Sequence, residues 1–305
     1  MKVLVYAQNF DGKNGGAVVL HRLVHLINTA TKHEAFLVPN SLDLTVSKYS
    51  TLGIKQNIKH AKKVRRYTTK SQWETPVLYS LKEIDMSRVI VVYPEITSGN
   101  PLNAGNVVRW LLHQPGYFSG EVNYGEGELI FKFNSAIDDF SLPYSKTSTN
   151  ELKVIYYPTD LYNEEGALPY QERTLTCHAI RKGKHKSKIH PEESIVIDFL
   201  NHEEIARLFK KAKRFISYDD YTAYSIFASL CGCESIVVPD SNKSIEQWYQ
   251  NITDRYGIAY GFDETQLKWA SDTKHLLKEH IDNEHRRSEQ CVINFLDESL
   301  DYFKL

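Results

Sequence analysis

The segment 217–240, SYDDYTAYSIFASLCGCESIVVPD, sets two acids, Asp219 and Asp220, between an apolar run and a stretch of small residues beginning near Thr222. The pattern predicts a strand, an acidic loop, a helix from about Thr222, a break at Gly232 and a second strand over 235–238. A helix that starts at the carboxyl end of a parallel strand offers unpaired N–H groups and a positive dipole end, and both favour phosphate. Thr222, Tyr224 and Ser225 stand at that start. A second group follows the apolar run 175–180, where Arg181, Lys182, Lys184 and Lys186 surround Gly183. Cations at a strand end can neutralise a diphosphate, although the same residues read also as a solvated basic loop. In the first half, Gly15 and Gly16 close the stretch QNFDGKNGG after the first apolar run, where a missing Cβ lets backbone approach a ligand. Glu95 and Asn100 lie in PEITSGNP, again just past an apolar run. Glu95 can orient or deprotonate a hydroxyl, or cap a turn.

These groups need elements to hold them. Residues 2–6 (KVLVY) read as a first buried strand, 17–30 as a helix with Val18, Val19, Leu23, Leu26 and Ile27 at helical spacing, and 35–38 as the next strand. Two more buried strands follow at 88–93 and 107–113. The polar stretch 141–151, SLPYSKTSTNE, lacks apolar periodicity and marks a domain boundary. Beyond it, 152–157, 175–180, 194–197, 215–217 and 235–238 are strand candidates, and Asn201 with Glu204 forms a capping-box pattern. At the end, Val292, Phe295, Leu296, Leu300 and Phe303 make an apolar stripe on a terminal helix. The expected fold class is α/β with two Rossmann-like domains, over 1–148 and 149–283, and a C-terminal helix over 284–305 that crosses back to the first.

Composition narrows the function. A formal net charge of −1 over 305 residues argues against a general nucleic-acid binder. No apolar run approaches the roughly 18 residues of a membrane span, and the N-terminus lacks the apolar core of a secretory signal, so a cytoplasmic protein is expected. The first strand is not followed by Gly-x-Gly-x-x-Gly or a suitably spaced acid, which argues against a nicotinamide cofactor. Cys177, Cys231, Cys233 and Cys291 do not have zinc-site spacing and are expected to be free thiols. His21 and His25 lie one helical turn apart without a third ligand, so no metal is expected. The basic stretch 59–70, KHAKKVRRYTTK, reads either as a solvated face or as a patch for anionic lipid headgroups or a polyanionic acceptor.

The layout resembles GT-B glycosyltransferases of the bacterial surface-polysaccharide type. In the widespread retaining members a Ser is followed after a short gap by Glu-Phe-Gly, then a second Glu eight positions on, then Ala-Met-x-x-Gly. Counting back from Gly232 puts Asp219 at the first Glu, Asp220 and Tyr221 over Phe-Gly, and Phe227 at the second Glu. That second acid usually holds the nucleotide ribose, so its replacement leaves ribose recognition without a residue. Family members also carry an Arg and a Lys about five residues apart where Arg181 and Lys186 stand, and a glycine-rich turn where Gly15 and Gly16 stand. The resemblance implies two domains facing a cleft and transfer of a sugar from a nucleotide-sugar donor to a saccharide or lipid-linked acceptor, with retention and without a bound metal or other cofactor. It makes Asp219 and Glu95 catalytic, assigns Gly15, Gly16, Arg181, Lys182, Lys184, Lys186, Thr222, Tyr224 and Ser225 to the donor, and gives Asn100 to the acceptor. The partners are then a nucleotide-sugar and a glycan, with peripheral contact at the inner membrane face and no nucleic acid. A non-catalytic nucleotide- or glycan-binding protein of the same fold is the alternative.

Overall fold

A computed structural model describes residues 1–41, 66–134, 137–249 and 251–305, so the basic stretch 59–70 lies outside the described residues over 59–65. The chain forms two compact units, Met1–Tyr156 with His285–Leu305, and Tyr157–Glu284. The fold class is α/β, and each unit is built on one parallel, Rossmann-like sheet.

In the first unit the strands are β1 (Lys2–Ala7), β2 (Glu34–Pro39), β3 (Val89–Pro94), β4 (Asn106–Leu111), β5 (Leu129–Lys132) and β6 (Lys146–Glu151), in the spatial order β2-β1-β3-β4-β5-β6. Every neighbouring pair is parallel. All six residues of β3 and all six of β4 are buried, as expected when both faces of a sheet are covered. Helix α1 (Gly15–Ala30) covers one face with Leu20, Leu23, Val24 and Ile27, and Asn14 caps it by accepting from the Ala17 N–H. The polar stretch 141–151 is not a boundary. It supplies β6, an edge strand with only Ser148 buried, and the chain changes units at Tyr156/Tyr157. Residues 152–157 form no strand, although Leu152 and Val154 are fully buried.

The second unit holds β7 (Leu175–Ala179), β8 (Ile195–Val196), β9 (Ala212–Ser217), β10 (Glu234–Val237) and β11 (Ile258–Tyr260), in the order β11-β10-β9-β7-β8 and again all parallel. Helix α2 (His202–Phe209) opens on the expected capping box, with Asn201 accepting from the Glu204 N–H and Glu204 accepting from the Asn201 N–H. Helix α3 (Ala223–Leu230) and the short α4 (Ile245–Trp248) follow β9 and β10. The last helix, α5, runs over Glu264–Phe303, starting twenty residues before the apolar stripe suggested. Its residues up to Glu284 belong to the second unit and those from His285 to the first. All four cysteines are free. Among the described residues no helix is long and apolar enough to cross a membrane.

Candidate functional site

Because each sheet is parallel, the chain leaves every strand of a unit at the same edge. In the second unit that edge carries the cationic loop. Immediately after β7 the chain turns through a 3₁₀ turn, Arg181–Gly183, with Arg181 in the left-handed region at φ 40°. Gly183 explains the tightness, because a Cβ there would lie 2.0 Å from the Tyr218 carbonyl oxygen. Only glycine lets this loop sit against the end of β9. The Tyr218 hydroxyl accepts from the Ile189 and His190 N–H groups (2.7 and 3.1 Å) and ties the far side of the loop to the same strand end.

This packing aims Arg181. Its guanidinium lies 4.4 Å from the Tyr224 ring centroid, over the first turn of α3. Asp198, just beyond β8, accepts from the N–H groups of Ile180 and Arg181 (3.1 and 3.3 Å) and stands 3.5 Å from the Arg181 side chain. Sequence reasoning missed Asp198; its only signal was an acid shortly after an apolar pair. Lys182 and Lys184 are exposed and have no ion-pair partner among the described residues. Lys186 is different. Its side chain is 5% exposed, and its ammonium donates to Asp220 (2.5 Å) and to the Val238 carbonyl (2.7 Å) and so is paired inside the fold. Lys186 is thus engaged by Asp220, and its contact with a diphosphate stays an expectation.

The acidic pair divides its work. Asp220 faces Lys186 and, at 3.6 Å, Lys243, while its carbonyl accepts from the Trp248 indole. Asp219 is buried, and one carboxylate oxygen accepts from the Tyr221 N–H at 3.2 Å. Its backbone carbonyl accepts from the buried Ser217 hydroxyl. Thr222 is the N-cap of α3, accepting from the Tyr224 N–H, and the Ser225 hydroxyl is buried without a hydrogen-bond partner among the described residues. Phe227 stacks on Tyr162 at 4.2 Å in the core, where a ribose-holding acid has no room to reach solvent.

In the first unit, Gly15 and Gly16 are not a loop but the first turn of α1. A Cβ on Gly15 would meet nothing within 4 Å, whereas one on Gly16 would approach Asn14 Oδ1 at 3.3 Å and Leu112 at 3.8 Å. Glu95, directly after β3, is buried and accepts from the Leu112 N–H at 3.1 Å. Burial pushes its carboxyl above the usual range, against the Leu112 hydrogen bond that pulls the other way. The loop beyond it is held by a buried pair. Arg109 grips Glu128 with two bonds (2.7 and 2.8 Å) and donates to the Thr97 and Gly99 carbonyls. Asn100 is spent within its own turn: its oxygen accepts from the Tyr93 hydroxyl and the Ala104 N–H, and its amide donates to the Ala104 carbonyl. Asn100 is nevertheless exposed, and its contact with an acceptor stays an expectation. His21 is buried with one ring nitrogen on the Gln8 carbonyl, and among the described residues no three His, Cys, Asp or Glu side chains form a metal-holding group.

No family model matches the chain, and no curated protein matches it. Solved structures do. T4 phage BGT in complex with UDP-glucose is 12% identical with a TM-score of 0.41, each chain covered in full. Sucrose-phosphate synthase from Thermosynechococcus elongatus is 12% identical with a TM-score of 0.33, over 98% of this chain and 96% of the other. The spinosyn rhamnosyltransferase SpnG is 9% identical with a TM-score of 0.30, over 96% of each. The functional reading therefore rests on the residues of the two sheet edges.

Proposed function

We propose that this chain is a GT-B glycosyltransferase that moves a sugar from a nucleotide-sugar to a saccharide or lipid-linked acceptor, with retention, in the assembly of a surface polysaccharide or lipopolysaccharide. The observation that carries the reading is the seating of the Arg181 guanidinium on Tyr224, which joins the cationic loop after β7 to the first turn of α3. Two features that attract phosphate thus come from the ends of β7 and β9, neighbouring strands of one sheet. Arg181, Lys182 and Lys184 neutralise the departing diphosphate, with the α3 N-terminus as donor. Asp219 takes the sugar hydroxyls, since a carboxylate accepts their hydrogen bonds and repels phosphate. Glu95 orients the acceptor hydroxyl, and its raised pKa is the direction a group that exchanges a proton near neutrality requires. No metal ion is assigned a part, and the protein works in the cytoplasm.

Calorimetric titration with UDP, GDP and their sugar conjugates tests this. Arg181→Ala should weaken the preferred diphosphate by about 1.5–3 kcal/mol, the range of a charge-assisted contact. Unchanged affinity would leave Arg181 as a partner of Asp198 only.

A second reading, a binding protein of the same fold without turnover, is favoured by Phe227 in the core where the family carries an acid. Release of diphosphate from a nucleotide-sugar in the presence of glycan acceptors separates the two.

A further inference from the structure

Arg173 stands two residues before β7, at the amino-terminal edge of the second sheet, and is 5% exposed. Its Nε donates to the Leu168 carbonyl at 2.7 Å and its Nη1 to the Cys231 carbonyl at 3.0 Å, with the Ala212 carbonyl at 3.4 Å. Its Nη2 has no hydrogen-bond partner, and no carboxylate lies within ion-pair distance of the side chain, among the described residues. A buried guanidinium satisfied only by carbonyl dipoles keeps a large desolvation cost that an anion would offset. Gly232, at φ 91°, leaves the space for it, because a Cβ there would come within 2.8 Å of both terminal nitrogens.

The guanidinium lines a cavity of ≈ 540 Å³ lying entirely within the second unit. That volume suits a small metabolite. Leu168, Ile236, Ala259 and Leu267 give it apolar walls, while Ser271 and Lys274 stand on the side formed by α5. The two carboxylates of the lining are already committed. Glu234 pairs with Arg214 (2.7 Å) and accepts from the Tyr170 hydroxyl, and Glu164 pairs with Lys274 (2.5 Å). Arg173 is thus the cation of the cavity that lacks a counter-charge.

We propose that this cavity is a second ligand site, taking a small molecule with an apolar body and one carboxylate or phosphate group, the anion resting on Arg173. It is separate from the candidate donor edge. Arg173, Glu234 and Gly257 precede β7, open β10 and precede β11, whereas residues 181–186 and 219–222 follow their strands. The two edges are one strand length apart, about 15–20 Å at roughly 3.3 Å per residue.

Calorimetric titration of the full chain with benzoate and with phenyl phosphate tests the site, and the tighter of the two identifies the head group. One saturable site with a Kd of about 1 mM or tighter is expected for one of them. Arg173→Gln should weaken it by about tenfold or more, the loss expected of a charge-assisted bond. Since Arg173 also ties three backbone segments together, the decisive variant is Ser271→Trp, an exposed helix position at which the indole fills the cavity. It should abolish probe binding while circular dichroism and UDP titration stay as in the parent chain. Saturation of the donor edge with UDP should leave probe affinity unchanged. Absence of saturable binding up to about 10 mM, binding that survives Ser271→Trp, or competition by UDP would each overturn the proposal.

Discussion

Gly183 is the residue on which the candidate donor edge turns, because its Cα lies against the Tyr218 carbonyl with no room for a methyl group. Gly183→Ala must push the loop off β9 or shift the strand end. A destabilisation of about 1–3 kcal/mol is expected from overpacking, measured by urea unfolding, together with weakened diphosphate binding. Full retention of both would mean that the loop does not need β9 to hold Arg181. Asp219 gives the complementary test. Asp219→Asn keeps the size and the contact to the Tyr221 N–H but removes the charge. Turnover should fall by at least about tenfold while diphosphate affinity holds or improves. If affinity collapses and turnover at saturation survives, Asp219 supports the loop and does not touch the sugar. At this scale side-chain type is legible in the sequence and hydrogen-bond partners are not. The placement of Arg181 and Asp219 just past strand ends was legible, because apolar runs and the charges that follow them are visible in a run of letters. The partners of Asn100 and Lys186 were not legible, because Tyr93 and Ala104 for one and Asp220 and Val238 for the other are set by folding.

Among the elements, buried strands were the most legible, since β3 is a continuous apolar run, β1 is apolar after Lys2, and β4 is apolar apart from Asn106 and Arg109. β6 was not, because an edge strand with sequence KTSTNE shows neither an apolar run nor alternation. The first half of α5 is rich in Lys, Glu and Asp and has too weak a stripe to announce itself, whereas its last turns bury Val292 and Phe295. Segment 152–157 failed in the other direction: apolar, but held as irregular chain by the Trp110 indole donating to the Leu152 carbonyl and the Ile155 N–H donating to Ser288. Helix α1 also carries a titratable clamp. His25 accepts from the Glu74 N–H at 3.0 Å and stacks on Trp73, and burial with the nearby Arg22 charge lowers its pKa to about 4. A base depressed in the folded state adds stability that is complete above its unfolded value of about 6.5 and is lost as pH falls toward 4. Urea midpoints should therefore drop between pH 6.5 and about 4, and His25→Gln should flatten part of that slope. His21, His33, His178 and His190 are lowered in the same direction by burial, so the variant leaves some slope behind. An unaltered slope would show that the His25 ring is solvated in the native protein.

At the scale of the whole molecule, the chain is two sheets that share one helix by sequence, and the last part of that helix completes the first unit. Val292, Phe295 and Leu296 are at most 2% exposed, and Phe295 meets Phe131 edge-on at 5.3 Å. Around them, Glu298 accepts from Ser148 and Asn150 and pairs with Lys146 at 2.8 Å, so the polar edge strand β6 is fastened by the helix. Removing residues 285–305 deletes three fully buried side chains from the core that also contains Leu23, Trp110 and Leu129. At about 1.5–3 kcal/mol for each such side chain, the loss is about 5–9 kcal/mol, comparable with the whole stability of a domain. The truncated chain should therefore bind 8-anilinonaphthalene-1-sulfonate strongly and aggregate on concentration, because the face left behind is apolar and contiguous. The second unit loses none of its own residues in this deletion. Its tryptophans, Trp248 and Trp269, should still report a cooperative transition if that unit folds as an independent core. A truncated chain that stays monodisperse and leaves the dye dark would show that the first sheet closes its core without the helix, and the burial of Val292 and Phe295 would then be a consequence of folding and not a requirement for it.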